Sequence, residues 1–126
     1  MICKSKTVTR LPAEWEAQDG VLLAWPHADS DWQPMLGEIT TVYIELARNI
    51  LRYETVLIAT PEPEETARKL TQAGIDLATV RIEQVATNDT WSRDFGPITV
   101  LRNGNPVLLN FGFNGWGHKF SADKDN

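Results

Sequence analysis

The first clear pattern along the chain is an unbroken apolar run, Val21-Leu22-Leu23-Ala24-Trp25, opened by Gly20 and closed by Pro26. A run of that length suits a strand buried on both faces, as in a sheet covered by helices. Asp29 to Pro34 then reads as a loop. From Leu36 the apolar positions fall at Leu36, Ile39, Tyr43, Leu46 and Ile50, with Val42, Ala47 and Leu51 beside them. This three-or-four spacing makes one helical stripe. Glu38, Glu45, Arg48 and Arg52 lie largely off it, and their acidic-first, basic-last order complements the helix dipole. Thr55 to Ala59 is β-branched and apolar, a second buried strand. Thr60-Pro61-Glu62-Pro63-Glu64 follows as a helix start with a hydroxyl cap and an early proline, and Gly74 ends that helix.

Val80, Ile82 and Val85 predict a third strand, and Ile98 to Leu101 a fourth. The fourth turns at Asn103-Gly104 into Val107 to Phe111, and an Asn-Gly pair between apolar runs is a strong hairpin signal. The order of strand, helix, strand, helix, strand, loop and hairpin predicts a layered α/β (α+β) domain. Residues 1–19 show no clean period and read as irregular. Gly117 to Asn126 carries little hydrophobic content and shows no closing element, as expected of a chain that has been cut.

Composition narrows the class. At 14.2 kDa the chain has the length of one domain, exposing ~6,800 Å² when compactly folded against ~20,600 Å² unfolded. Hydrophobic residues at 42% and charged residues at 23% are those of an ordinary globular protein. A net charge of -5 lacks the basic footprint of a nucleic-acid binder. Cys3 is the single cysteine, so no disulfide forms within the chain, which fits a reducing, cytoplasmic setting. Neither a signal peptide nor a membrane span is expected, because the longest apolar runs fall far short of the ~20 residues needed to cross a bilayer.

Three clusters could carry chemistry. The densest is Thr87-Asn88-Asp89-Thr90-Trp91-Ser92-Arg93-Asp94-Phe95-Gly96-Pro97, between two strands, where α/β proteins place their sites. Its plain reading is a well-made loop, with Asx turns at Asn88 and Asp89 and a solvated Arg93–Asp94 pair. The functional reading sets the Asp94 carboxylate near the Trp91 indole, the two features that a planar cation such as guanidinium needs. Arg93 would then be a structural anchor with its charge directed into the fold.

Asn110-Phe111-Gly112-Phe113-Asn114-Gly115-Trp116-Gly117-His118 interleaves glycines with aromatics, either as packing at a strand end or as a ligand wall. Its glycines match no phosphate-binding motif, and no helix pattern follows them. The third cluster holds Ala13-Glu14-Trp15-Glu16 and Ala24-Trp25-Pro26-His27, with Asp29, Asp31 and Trp32 beyond. Its His27, Asp29 and Asp31 lack the spacing of a closed metal site.

Together Ala13-Glu14-Trp15-Glu16, Leu23-Ala24-Trp25-Pro26-His27, the block from Asn88 to Pro97 and Gly112-Phe113-Asn114-Gly115-Trp116-Gly117 resemble the agmatine deiminase family, the bacterial-type peptidylarginine deiminase group. Trp-x-Arg-Asp-x-Gly-Pro is the most diagnostic block. The resemblance covers residues 11–126 and implies a guanidine-modifying hydrolase of the pentein superfamily, in which ββαβ units circle a pseudo-fivefold axis. On that reading, residues 1–126 are an N-terminal fragment of a single pentein domain, about one to two of its five units.

The resemblance implies conversion of agmatine and water to N-carbamoylputrescine and ammonia. A cysteine thiolate attacks the guanidinium carbon, a histidine moves protons and carboxylates grip the nitrogens, with no metal or organic cofactor. Asp94 matches the family's guanidinium-binding aspartate, and Trp91 the tryptophan lining that pocket. Arg93, Asn114 and Trp116 fall within family motifs without assigned roles. The family's nucleophile stands in a Gly-Cys-His setting that this sequence does not contain, and Cys3, His27 and His118 do not match it. The expected partner is a small guanidinium substrate, with no nucleic acid and no membrane, and self-association through exposed strand edges is expected of such a piece. A peptidylarginine substrate and a non-catalytic guanidinium- or polyamine-binding remnant are the alternatives.

Overall fold

The computed structural model describes residues 7–126, so Cys3 lies outside the described residues. Strand β2 (Gly20–Ala24), helix α1 (Leu36–Ile50), strand β3 (Thr55–Thr60), helix α2 (Pro63–Gln72) and strand β4 (Val80–Gln84) make two successive β-α-β crossovers. The strands lie parallel in the order β2-β3-β4, with Leu23 opposite Ile58 and Ile58 opposite Ile82. Ala47 of α1, Leu70 of α2, and Val56 and Ile58 of β3 are fully buried, and Leu23, Val80 and Ile82 pack against them. All five strand residues share one face, so both helices cover the same side of the sheet.

That arrangement corrects the expectation of a strand buried on both faces. Val21 and Leu22 are half-buried, and on the opposite face Arg81 and Glu83 are exposed as an ion pair at 2.7 Å. Trp25 is buried just beyond β2. Its N–H donates to Ala59 at 2.8 Å, and its ring meets Tyr43 edge-on at 5.7 Å.

Both ends of α2 follow from local sequence. Thr60 is the last residue of β3 rather than the helix cap: its hydroxyl accepts from the Glu62 N–H and shares a bond with the Thr66 hydroxyl, both threonines being buried. At the far end Gly74 takes a φ of +78°, letting its own N–H reach Thr71 and that of Ile75 reach Leu70. Buried Ile75 then packs in the same cluster as Leu70, the hydrophobic contact that accompanies this helix stop.

A second, antiparallel sheet joins β1 (Thr9–Arg10), β5 (Ile98–Arg102) and β6 (Asn105–Leu109) in the order β1-β5-β6. The hairpin turns at Asn103 and Gly104, both with positive φ, as a two-residue turn of the I′ kind requires. Because such a turn pairs Arg102 directly with Asn105, β6 begins and ends two residues earlier than the apolar pattern suggested. The short strand β1 was not legible in the irregular stretch; Arg10 there makes two parallel bonds to Glu16, at 2.7 and 2.8 Å. The Arg10 guanidinium, helped by the Ala13 N–H, holds the Glu16 carboxyl down to about 2. Among the described residues no helix is long and apolar enough to cross a membrane.

Candidate functional site

Beyond β4 the chain crosses the carboxyl ends of the parallel strands, and side chains fasten it there. His27, after β2, pairs through Nε2 with the Thr87 hydroxyl at 3.1 Å. Its Nδ1 accepts from the Asp29 N–H at 3.3 Å, which makes Nε2 the protonated nitrogen. Trp32 donates its indole N–H to the Thr90 hydroxyl at 2.8 Å. Thr87, Asp89 and Thr90 are buried, so the loops following β2 and β4 are locked together where open α/β sheets carry their ligand sites. Asp29 and Asp31 are exposed, and among the described residues no three His, Cys, Asp or Glu side chains gather as a metal site would require.

Trp91 leads into a single helical turn, α3 (Ser92–Phe95). Asp94 donates its N–H to the Trp91 carbonyl and Gly96 to that of Ser92, at 2.9 and 2.7 Å. The Ser92 hydroxyl bonds the Leu22 carbonyl at 3.2 Å, tying the turn to β2. A Cβ at Gly96 would stand 2.4 Å from the Ser92 carbonyl oxygen, so only glycine closes this turn. Trp91 is 56% exposed and Asp94 is exposed, an indole and a carboxylate three positions apart on one turn with open access to solvent.

Arg93 departs from both expectations for it. Its side chain is exposed and reaches Glu14 at 3.5 Å, neither pairing with Asp94 nor entering the fold. One residue earlier or later on so short a turn faces a different way, and a solvated pair of this kind contributes little to stability. Asn88 and Asp89 likewise do not form the expected local Asx turns. The Asn88 side chain bonds Asp123 and the Lys124 N–H, while an Asp89 oxygen accepts from the adjoining Thr90 N–H.

The glycine-aromatic cluster comes against α3 through a chain of tilted and edge-on ring contacts. Phe95 lies 6.0 Å from Phe113, Phe113 meets Trp116 edge-on at 4.9 Å, and Trp116 meets Phe120 at 5.7 Å. No helix follows the glycines; two of them lie inside a single turn of the opposite hand, where Gly115, Trp116, Gly117 and His118 all have positive φ. The His118 N–H reaches Asn114 and the Lys119 N–H reaches Gly115, at 2.7 and 3.0 Å. Asn114 serves this turn by accepting from the Gly117 N–H at 2.9 Å, and Trp116 is presented half-exposed.

The segment expected to lack a closing element in fact fastens the site. Asp125 is buried, with one oxygen accepting from the Asn88 and Asp89 N–H groups, and Asn126 bonds both the N–H and the carbonyl of Phe113. Low hydrophobicity concealed this element, because polar side chains capping backbone groups leave no periodic trace. The arrangement as a whole presents an indole and a carboxylate to solvent on one turn. Within residues 7–126 it sets no thiol beside them.

Comparison with known proteins identifies the block. Residues 10–126 match the family model of the Porphyromonas-type peptidyl-arginine deiminases. The chain belongs to this family. An agmatine deiminase of Pseudomonas syringae pv. syringae is 31% identical over 109 residues, 85% of this chain and 28% of the relative. The solved structure of a cysteine-to-serine variant of C. jejuni agmatine deiminase with substrate bound covers 99% of this chain at 33% identity and a TM-score of 0.87, over 36% of its own length. Agmatine deiminase of Enterococcus faecalis, at 22% identity and a TM-score of 0.79, shares the fold. The chain thus spans about a third of the length of the deiminases it matches, and its mixed α/β architecture is a part of the pentein fold.

Proposed function

We propose that residues 1–126 form the N-terminal portion of a single-domain guanidine-modifying hydrolase that converts agmatine and water to N-carbamoylputrescine and ammonia in the cytoplasm. Asp94 grips the guanidinium through two parallel N–H···O bonds, and Trp91 walls the cation. Arg93, Asn114 and Trp116 shape the surroundings: Asn114 by capping the left-handed turn and Trp116 by its edge-on contact with Phe113.

The reaction needs a thiolate that adds to the guanidinium carbon, expels ammonia to leave a covalent amidino-sulfur adduct, and departs when water attacks. Those later groups belong to sequence outside these residues. What this portion contributes is orientation and charge: holding the cation flat against Trp91 with Asp94 fixes its carbon in line for attack. The observation that carries the reading is the exposed Trp91–Asp94 turn lying in the family-matched stretch, in a chain superposing at TM-score 0.87 on a substrate-bound agmatine deiminase. A peptidylarginine side chain offers the same guanidinium, and the family description favours it as the second reading.

Titration calorimetry of the chain with agmatine and with putrescine tests the grip, since only the guanidinium forms the fork. Agmatine should bind more tightly by about ten-fold or more, the worth of a charge-assisted pair. Asp94→Asn should remove that preference, and a preference that survives the substitution refutes the assigned site.

A further inference from the structure

Residues 122–126 touch both parts of the candidate site, and their contacts converge on one buried side chain. Asp125 is 6% exposed. Its Oδ1 accepts from the Asn88 N–H at 2.7 Å and from the Asp89 N–H at 3.3 Å, while Oδ2 is buried with no hydrogen-bond partner among the described residues. Around it, Asn88 Oδ1 accepts from the Lys124 N–H at 2.7 Å and Asn88 Nδ2 donates to Asp123 at 3.3 Å. Asn126 accepts from the Phe113 N–H at 2.6 Å and donates to the Phe113 and Ala122 carbonyls. Every bond from this segment to the β4–α3 loop ends on Asn88 or Asp89, upstream of the turn that presents Trp91 and Asp94.

From Asp125 a continuous set of bonds runs to that turn. Asp89 holds the Thr90 N–H at 2.6 Å, the Thr90 carbonyl accepts from Ser92, and the Trp91 carbonyl accepts from Asp94. Two adjacent backbone N–H groups share this one acceptor, that of Asp89 buried and that of Asn88 half-buried, so losing the acceptor leaves a buried donor unpaired and should release the loop. We propose that Asp125 is a positioning residue: through Asn88 and Asp89 it sets the placement of Trp91 and Asp94 without touching the ligand. What those two residues are placed for rests on the guanidinium reading above.

The test compares Asp125→Ala and Asp125→Asn in the 126-residue chain, with amide hydrogen exchange read residue by residue and agmatine affinity read by calorimetry. Asp125→Ala should speed exchange at Asn88 and Asp89 by about ten-fold or more and weaken agmatine binding several-fold, leaving Val56 and Ile58 of β3 protected. Asp125→Asn keeps an oxygen for both N–H groups and should restore most of the protection and affinity. Unchanged exchange at Asn88 and Asp89 overturns the proposal, as does unchanged agmatine affinity despite faster exchange. Equal acceleration in β3 overturns it as well, since that marks general destabilisation. If the unsubstituted chain binds no agmatine while the exchange pattern follows expectation, Asp125 still holds the loop and the guanidinium reading alone falls.

Discussion

Glycine placement near the site separates two costs usually confounded. At Gly115, φ is +61° and a Cβ would stand 2.1 Å from the Phe120 carbonyl oxygen; at Gly117, φ is +79° with nothing within 4 Å. Gly117→Ala therefore carries only the left-handed penalty of about 1–2 kcal/mol, whereas Gly115→Ala adds a backbone clash and should cost distinctly more. Denaturant unfolding of both variants measures the difference. A D-alanine placed at Gly117 by semisynthesis adopts this hand without that penalty, and should leave stability unchanged or raise it. Trp116 and His118 hold the same hand without glycine's freedom, and this strain was invisible in a sequence where the cluster read as packing at a strand end or as a ligand wall. That Trp91 and Asp94 stand exposed at one turn was legible in their three-residue spacing between two strands. Arg93 was misread because a one-turn helix gives no periodic pattern from which the direction of its side chain could be read.

At the scale of elements, long periodic signals translated faithfully. The stripe of α1, the strand at Thr55 and the Asn103-Gly104 hairpin each arise from a local cause, an amphipathic period or a turn chemistry, and each stands where expected. Elements without a period were hidden. Strand β1 is two residues long and depends on Asn103 and Arg102 across the sheet, and α3 is one turn fixed by Ser92 and Gly96. The region around β1 also carries a pH dependence. Glu16 is held down to about 2, chiefly by its bond to Arg10. Its contribution is present in full above the ordinary carboxylate value of 4.5 and disappears as the pH falls toward 2. Carbon-detected titration of the Glu16 carboxyl should show that low midpoint, and Arg10→Ala should move it up toward the ordinary range.

The whole molecule exposes more surface than its mass calls for. Its 9020 Å² exceeds by about a third the ~6,800 Å² of a compact protein of this mass. Trp15 at 90% exposure, Leu108 at 66% and Phe111 at 61% are among the apolar side chains left uncovered. Strand β6 bears Leu108 on an edge with unpaired backbone groups, a template for pairing with another copy. Sedimentation velocity should show an average mass that rises with concentration and a smaller rise for Leu108→Lys; a monomer at all concentrations would refute this. The way residues 123–125 fasten Asn88 has a further consequence during synthesis on the ribosome. The parallel layer of residues 20–84 is contiguous in sequence and can fold as soon as it leaves the exit tunnel, because its strand pairing is complete within those residues. If Asp125 sets that turn as proposed, the placement of Trp91 and Asp94 is completed only when Asp125 and Asn126 emerge, so a nascent chain acquires its scaffold first and this placement some forty residues of translation later.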